Sequence, residues 1–337
     1  MQHILVTGGT GYIGSHTVVD LVSQGYHPII VDNQSNSSLS VLEGIKEIVS
    51  VDVTNYSIDI CDKKALTQVF EENNIVGVIH FAAYKSVNES VNEPLKYFSN
   101  NIGGLNTLLE VMDEQKVNRL IFSSSCSVYG NAEVLPVTEE TPLAEAESPY
   151  GRTKQIGEKM IQDYCQTNAD FKAINLRYFN PAGAHDSNAI GELSLNPPTN
   201  LVPVITETGI GKRSDMTVFG DDYPTRDGSC IRDYIHVMDL AAAHTQALKA
   251  LEQMEDTNLA VYNLGIGEGV TVLEAIKAFE QVSGQSLNYN IGPRRAGDVM
   301  SIYADTTQVI KKLGWSPTRD INDIMRTAWN WEVKRSR

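Results

Sequence analysis

HILVTGGTGYIG, residues 3–14, decides the fold. His3–Val6 reads as a short buried strand, and the segment from Tyr12 to Gln24 puts Ile13, Thr17, Val18, Leu21 and Val22 on one helical face before Gly25 stops it. Gly8, Gly11 and Gly14 therefore fall in a strand-to-helix turn. Gly8 permits the tight turn, Gly11 lets the backbone approach a pyrophosphate, and Gly14 lets the helix pack closely on the strand, while the helix start offers unpaired N–H groups to the anion. Glycine spacing alone is more often an ordinary loop, but the strand–turn–helix context points to a dinucleotide cradle.

Working outward, PIIVDN (28–33) is a second strand ending in Asp32, about twenty residues beyond the glycine turn, where a carboxylate can accept hydrogen bonds from the adenosine ribose. Asp32 would repel a ribose 2′-phosphate, and NQSNSS (33–38) contains no Arg or Lys to neutralise one, so the cofactor expected is NAD. The alternation continues with a strand ending near Asp59-Ile60, a helix bearing Leu66, Val69 and Phe70, and buried strands VGVIHFAA (76–83) and RLIFSSS (119–125). Such a rhythm predicts an α/β fold with a Rossmann-type, doubly wound parallel sheet. Ligands gather at the carboxyl ends of such strands, where Ile60, Phe81-Ala82-Ala83 and Ser123-Ser124-Ser125 fall.

A second signal lies about 140 residues on, in Tyr150-Gly-Arg-Thr-Lys154. Tyrosine ionises near pH 10, so making it a base at neutral pH takes roughly 4 kcal/mol of differential stabilisation. A lysine at i+4 on the same helix face can supply much of that. Pro149 suits the first turn of this helix and Ser148 its cap, which puts Tyr150 at the positive end. Ser125, at the end of the fifth strand, completes a proton relay: Tyr150 as base, Lys154 tuning it, Ser125 orienting the reacting hydroxyl. With the glycine turn, these three specify alcohol–ketone chemistry on a nicotinamide cofactor.

At this point the chain resembles the extended short-chain dehydrogenase/reductase family, and within it the UDP-glucose 4-epimerases. The likeness rests on TGGTGYIGSH (7–16), VIHFAAYKSVNES (78–90), FSSSCSVYG (122–130), SPYGRTK (148–154), LRYFNPAGAH (176–185), IRDYIHVMDLA (231–241), YNLGIG (262–267) and PRRAGD (293–298), and spans nearly the whole chain. Its departures are Ala83, where the family often has Gly, and Cys126-Ser127, where Ala-Thr is common. Related dehydratases and decarboxylases carry a carboxylate just after the catalytic Ser/Thr, and this chain has none there. The resemblance therefore implies reversible 4-epimerisation of UDP-glucose and UDP-galactose through a 4-keto sugar, as in galactose metabolism. UDP-N-acetylhexosamine epimerisation and net NAD-dependent oxidoreduction are the alternatives.

Around the cofactor the resemblance implies Tyr12, Ile13, Asn33, Asn36, Asp59, Ile60, Phe81, Ala82, Ala83, Lys85, Asn100 and Phe179, beside the three glycines, Asp32 and the relay. Around the UDP-sugar it implies Lys85, Ser125, Tyr150, Asn180, Asn200, Leu201, Thr217, Val218, Phe219 and Asp298, with Arg232 and Arg295 for the diphosphate. Ile302 aligns with the residue whose bulk limits the sugar 2-substituent. Helices 94–115, with Leu105, Leu108, Leu109 and Met112, and 150–166, with Ile156, Met160, Ile161 and Tyr164, carry apolar stripes that are more often core, and the resemblance implies that they pair in a homodimer.

With 337 residues, 42% of them hydrophobic, the chain can bury a full core. The expected division is an NAD-binding domain, 1–180 with a return segment at about 231–262, and a smaller UDP-sugar-binding domain, about 181–230 and 263–337. DYIHVMDLAAAHTQALKAL (233–251) reads as the returning strand and helix, and 185–230 as long substrate-binding loops. A net charge of −15 without a Lys/Arg run argues against nucleic acid or anionic membranes as partners. Cys61, Cys126, Cys165 and Cys230 lack metal spacing, the histidines form no ligand cluster, and no signal peptide is visible, so no metal and a cytoplasmic setting are expected.

Overall fold

The computed structural model describes residues 1–193, 195, 197–295 and 299–337. In chain order its first half carries β1 (His3–Thr7), α1 (Tyr12–Ser23), β2 (His27–Val31), α2 (Ser40–Val49), β3 (Thr54–Tyr56), α3 (Lys63–Glu72), β4 (Ile75–His80), α4 (Val87–Asn92), α5 (Pro94–Tyr97), α6 (Gly103–Glu114), β5 (Arg119–Ser125), α7 (Pro149–Thr167) and β6 (Lys172–Tyr178). Its second half carries β7 (Asn180–Ala182), α8 (Leu201–Gly209), β8 (Met216–Phe219), β9 (Ile231–Arg232), β10 (Tyr234–His236), α9 (Val237–Gln253), β11 (Leu259–Leu264), β12 (Val270–Thr271), α10 (Val272–Ser283), β13 (Tyr289–Gly292), β14 (Ser301–Ile302), α11 (Thr307–Leu313) and α12 (Ile321–Arg335).

Seven strands form one parallel sheet in the order β3-β2-β1-β4-β5-β6-β11. Along β1, Ile4 and Val6 pack into a layer with Val18, Leu21, Leu240 and Leu248, while Leu5 enters the opposite layer with Val78, Leu105 and Leu108. Both faces are covered, which is why the strands read as continuous apolar runs rather than alternating ones. Strand order reverses between β1 and β4, opening a crevice beyond their carboxyl ends. Thr7 stands in register with both Val31 and His80, and Ser125 with Tyr178, so the strand ends form one rim. The chain thus has the expected Rossmann-type fold. A third core, with Val202, Ile205, Val218, Phe279, Ile324 and Met325, lies among α8, β8, α10 and α12.

Four local expectations change. The strand expected to end near Asp59-Ile60 stops at Tyr56, because the carboxylate of Asp59 accepts from Cys61 N–H and that of Asp62 caps α3 through Ala65 N–H. The helix expected over 94–115 is divided into α5, a π-turn at Phe98–Ile102, and α6. Segment 185–230 is not all loop, since it contains α8 and β8. The strand in 233–251 pairs with β7 rather than the large sheet, and β11 supplies the seventh strand.

The stripe expected to face a second subunit is largely internal. Leu105, Leu108, Leu109, Met112 and Ile161 are buried in the chain's own core, and Ile156, Met160 and Tyr164 are half-buried. An apolar stripe on a helix laid against a sheet is satisfied first by that sheet.

Candidate active site

The cradle starts where β1 runs into α1. Gly8 has φ +71°, and a Cβ on it would stand 2.8 Å from Ala82 N; one on Gly14 would stand 2.2 Å from Gly8 O. A side chain at either position is therefore excluded by backbone. Thr7 draws the two strand ends together: its carbonyl accepts from Phe81 N–H at 3.0 Å, and its hydroxyl accepts from Ala82 N–H at 3.3 Å while lying 2.7 Å from His80 Nδ1. Gly11 caps α1 without any side-chain bond, leaving the first-turn N–H groups for an anion. These features fit a dinucleotide pyrophosphate.

Past β2, Asp32 accepts from Thr10 N–H at 3.1 Å and Gln34 N–H at 2.9 Å, which aims its carboxylate across the glycine turn. A cavity of about 340 Å3 runs from there to Tyr150 and Lys154. Every residue expected around the cofactor lines it except Asp59, which is exposed and accepts from Asn33 Nδ2 at 2.9 Å. Asn100 reaches the wall from the π-turn, a distortion that commonly marks functional sites.

The relay groups converge at the far end. Ser148 caps α7 by accepting from Gly151 N–H at 3.2 Å, and Pro149 is its first residue, as the sequence predicts. Lys154 is 5% exposed; its Nζ donates to the Ser123 carbonyl at 2.6 Å and lies 6.0 Å from the Tyr150 ring centre. Burial lowers the Lys154 ammonium to about 8, with the Glu158 charge opposing. Burial also pushes the Tyr150 phenol up to about 12, against a hydrogen bond with the Ser125 hydroxyl that favours the phenolate. Desolvation outweighs that hydrogen bond, so the net direction at Tyr150 in the protein alone is toward the neutral phenol. The three serines separate: the Ser123 carbonyl holds Lys154, Ser124 donates to Glu158, and Ser125 meets Tyr150.

On the sugar side, Asn180, Asn200 and Leu201 line the same cavity, as does Lys85, whose ammonium pairs with Glu192 at 3.4 Å. Thr217, Val218, Phe219, Arg232, Arg295 and Ile302 do not line it. Val218 faces the core, whereas Thr217 and Phe219 lie on the opposite face of β8, with Arg295 stacked 4.4 Å over the Phe219 ring. Arg232 is in register with Ile302, which is 6% exposed in a cluster with Val128, Tyr129, Phe179 and Ala304. Asp298 lies outside the described residues. Tyr178 and Glu192 also line the cavity and were not anticipated. Tyr178 ends β6, where the rule that found Ser125 could have found it, whereas Glu192 sits in an irregular segment with no local signal.

The family model for GDP-mannose 4,6 dehydratase matches residues 5–328. The UDP-glucose 4-epimerase of Dictyostelium discoideum is 48% identical over 98% of this chain and 96% of its own, and that of Bacillus subtilis 46% identical over 98% and 96%. Among solved structures, the UDP-glucose 4-epimerase from Stenotrophomonas maltophila, with bound NAD and formylated UDP-arabinopyranose, superposes with a TM-score of 0.97 at 43% identity over 100% of this chain and 99% of that one. The Bifidobacterium longum enzyme, in complex with NAD+ and UDP, gives 0.95 at 42% identity over 99% of each chain. A shared fold, near-complete coverage and identity of this order settle the kinship: the chain belongs to the UDP-glucose 4-epimerases of the extended short-chain dehydrogenase/reductase family.

Proposed function

We propose that this protein interconverts UDP-glucose and UDP-galactose by reversible inversion at C4, using bound NAD+. One observation carries the reading: a single cavity joins the glycine cradle to Tyr150, Lys154 and Ser125. Bound NAD+ supplies a hydride acceptor, and in its reduced form a donor. Tyr150 accepts the proton of the sugar 4-hydroxyl as the 4-ketone forms and returns it to the product; Ser125 orients that oxygen, and Lys154 favours the phenolate. No carboxylate follows Ser125, and the Cys126 thiol is pushed up to about 12 by burial, so neither neighbour offers acid–base chemistry for elimination near neutral pH. The ketone can then only be reduced again, and reduction on its other face inverts C4.

Inversion needs a firmly held nucleotide and a loosely held sugar. Arg232 and Arg295 suit the diphosphate, with Asn180, Asn200, Leu201, Thr217, Val218 and Phe219 around nucleotide and sugar. This supports a division into an NAD-binding part, 1–180 with about 231–262, and a UDP-sugar-binding part, about 181–230 and 263–337. Ile302 bounds the sugar 2-substituent, a role supported by its cluster with Phe179, a cavity-lining residue. The active form is a homodimer through segments 94–115 and 150–166, by the faces turned away from the chain's own core. Four free cysteines suit the cytoplasm. No helix among the described residues is long and apolar enough to cross a membrane. Purified protein given UDP-galactose should yield UDP-glucose without net NADH; steady NADH release coupled to sugar oxidation would instead identify a dehydrogenase.

A further inference from the structure

Behind the relay lies a buried charged network that the reaction scheme does not use. Glu158, one turn beyond Lys154 on α7, is buried and forms a two-pronged ion pair with Arg177 of β6: Nε donates to Oε1 at 2.9 Å and Nη2 to Oε2 at 2.6 Å. Ser124 of β5 donates to the same carboxylate. Arg177 Nη1 donates in turn to the Tyr129 hydroxyl at 2.9 Å, and Tyr129 donates to Asn263 Oδ1 at 2.7 Å. A buried ion pair is weak evidence of stabilisation, because desolvation offsets much of its attraction. This one joins the helix carrying Tyr150 and Lys154 to β6, and the Ser124 hydrogen bond joins the same carboxylate to β5, the strand that ends in Ser125.

We propose that Glu158 is a positioning residue for the proton relay: it fixes α7 against β5 and β6 and sets a carboxylate one helical turn from Lys154. The inference rests on the epimerase reading. Burial drives Lys154 toward the neutral amine, and Glu158 is the carboxylate whose charge opposes it. Of the other groups facing this region, three have fixed states near neutrality. His80 of β4 is held neutral by burial, at about 3; Tyr178 of β6 is held protonated by burial; and Arg177 carries its charge throughout. Glu139 meets Arg177 through its backbone carbonyl at 3.4 Å and is raised by burial.

The test is Glu158→Gln in the NAD-loaded protein, read in two ways. NMR of lysine side chains carbon-labelled next to the amine, with Lys154 assigned by its loss in Lys154→Met, should show its titration midpoint about one pH unit lower than in the parent. The alkaline limb of kcat should move down by the same amount, with KM for UDP-galactose within about twofold. Glu158→Asp, which keeps the charge, should hold the parental midpoint. If Glu158→Gln does not fold, Glu158→Gln with Arg177→Gln removes both charges and should still lower the midpoint. An unchanged midpoint, or a uniform fall in kcat with an unmoved limb, overturns the proposal. If the parent lacks epimerase activity the functional reading fails, and the Lys154 midpoint still decides the role of Glu158.

Discussion

Tyr150 and Lys154 sit side by side, yet burial drives the first toward its neutral phenol and the second toward its neutral amine. In the proposed relay each charge favours the other. Tyr150→Phe removes the proton carrier while preserving shape, so kcat should fall by about 10²- to 10⁴-fold with NAD and UDP-sugar binding retained. Lys154→Ala removes the positive neighbour, which disfavours the phenolate; the acidic limb of the pH–rate profile should therefore move to higher pH. Near-normal turnover by Tyr150→Phe, or an unmoved profile in Lys154→Ala, would remove these residues from the chemistry. Ile302→Cys should raise activity on UDP-N-acetylgalactosamine relative to UDP-galactose; an unchanged ratio accompanied by a lower melting temperature would make Ile302 a packing residue only. At this scale the meeting of Tyr150 and Lys154 at one cavity was legible because their spacing is helical and local. The separate duties of Ser123, Ser124 and Ser125 were not, since they depend on partners about 25 to 35 residues away that only the fold brings near.

Among the elements, α7 carries both Tyr150 and Lys154. Its start is fixed by Ser148, whose hydroxyl accepts from Gly151 N–H. Ser148→Ala should cost about 1 kcal/mol of stability and lower kcat more than it raises KM, because the freed first turn contains Tyr150. Ser148→Asp should recover both; equal stability of Ser148→Ala and the parent would show that the cap is not used. Capping chemistry is local and so could be read from the sequence, as could β1, β2, β4 and β5, whose apolar runs are buried on both faces. The π-turn at Phe98–Ile102 escaped because its cause is distant: Asn101 donates to the Tyr84 carbonyl at 3.1 Å and to Thr153 Oγ1, also at 3.1 Å. β3 was misjudged in length because Asp59 and Asp62 serve turn and cap rather than strand.

For the whole molecule, the large parallel sheet provides a rigid rim, and α8, α10 and α12 enclose a separate core beside it. The sheet could be anticipated from its βα rhythm, whereas segment 185–230 could not, since its Pro, Gly, Asn and Asp content hides α8 and β8. Light scattering should give twice the chain mass of 37.1 kDa if helices 94–115 and 150–166 join two copies, and a monomer mass with full activity would remove the dimer from the account. The central claim is that the hydrogen taken from C4 returns to the sugar that supplied it. UDP-galactose carrying deuterium at C4 should be converted to UDP-glucose that retains the label, with no stoichiometric NADH; loss of the deuterium to solvent, or its accumulation in released NADH, would contradict the closed cycle.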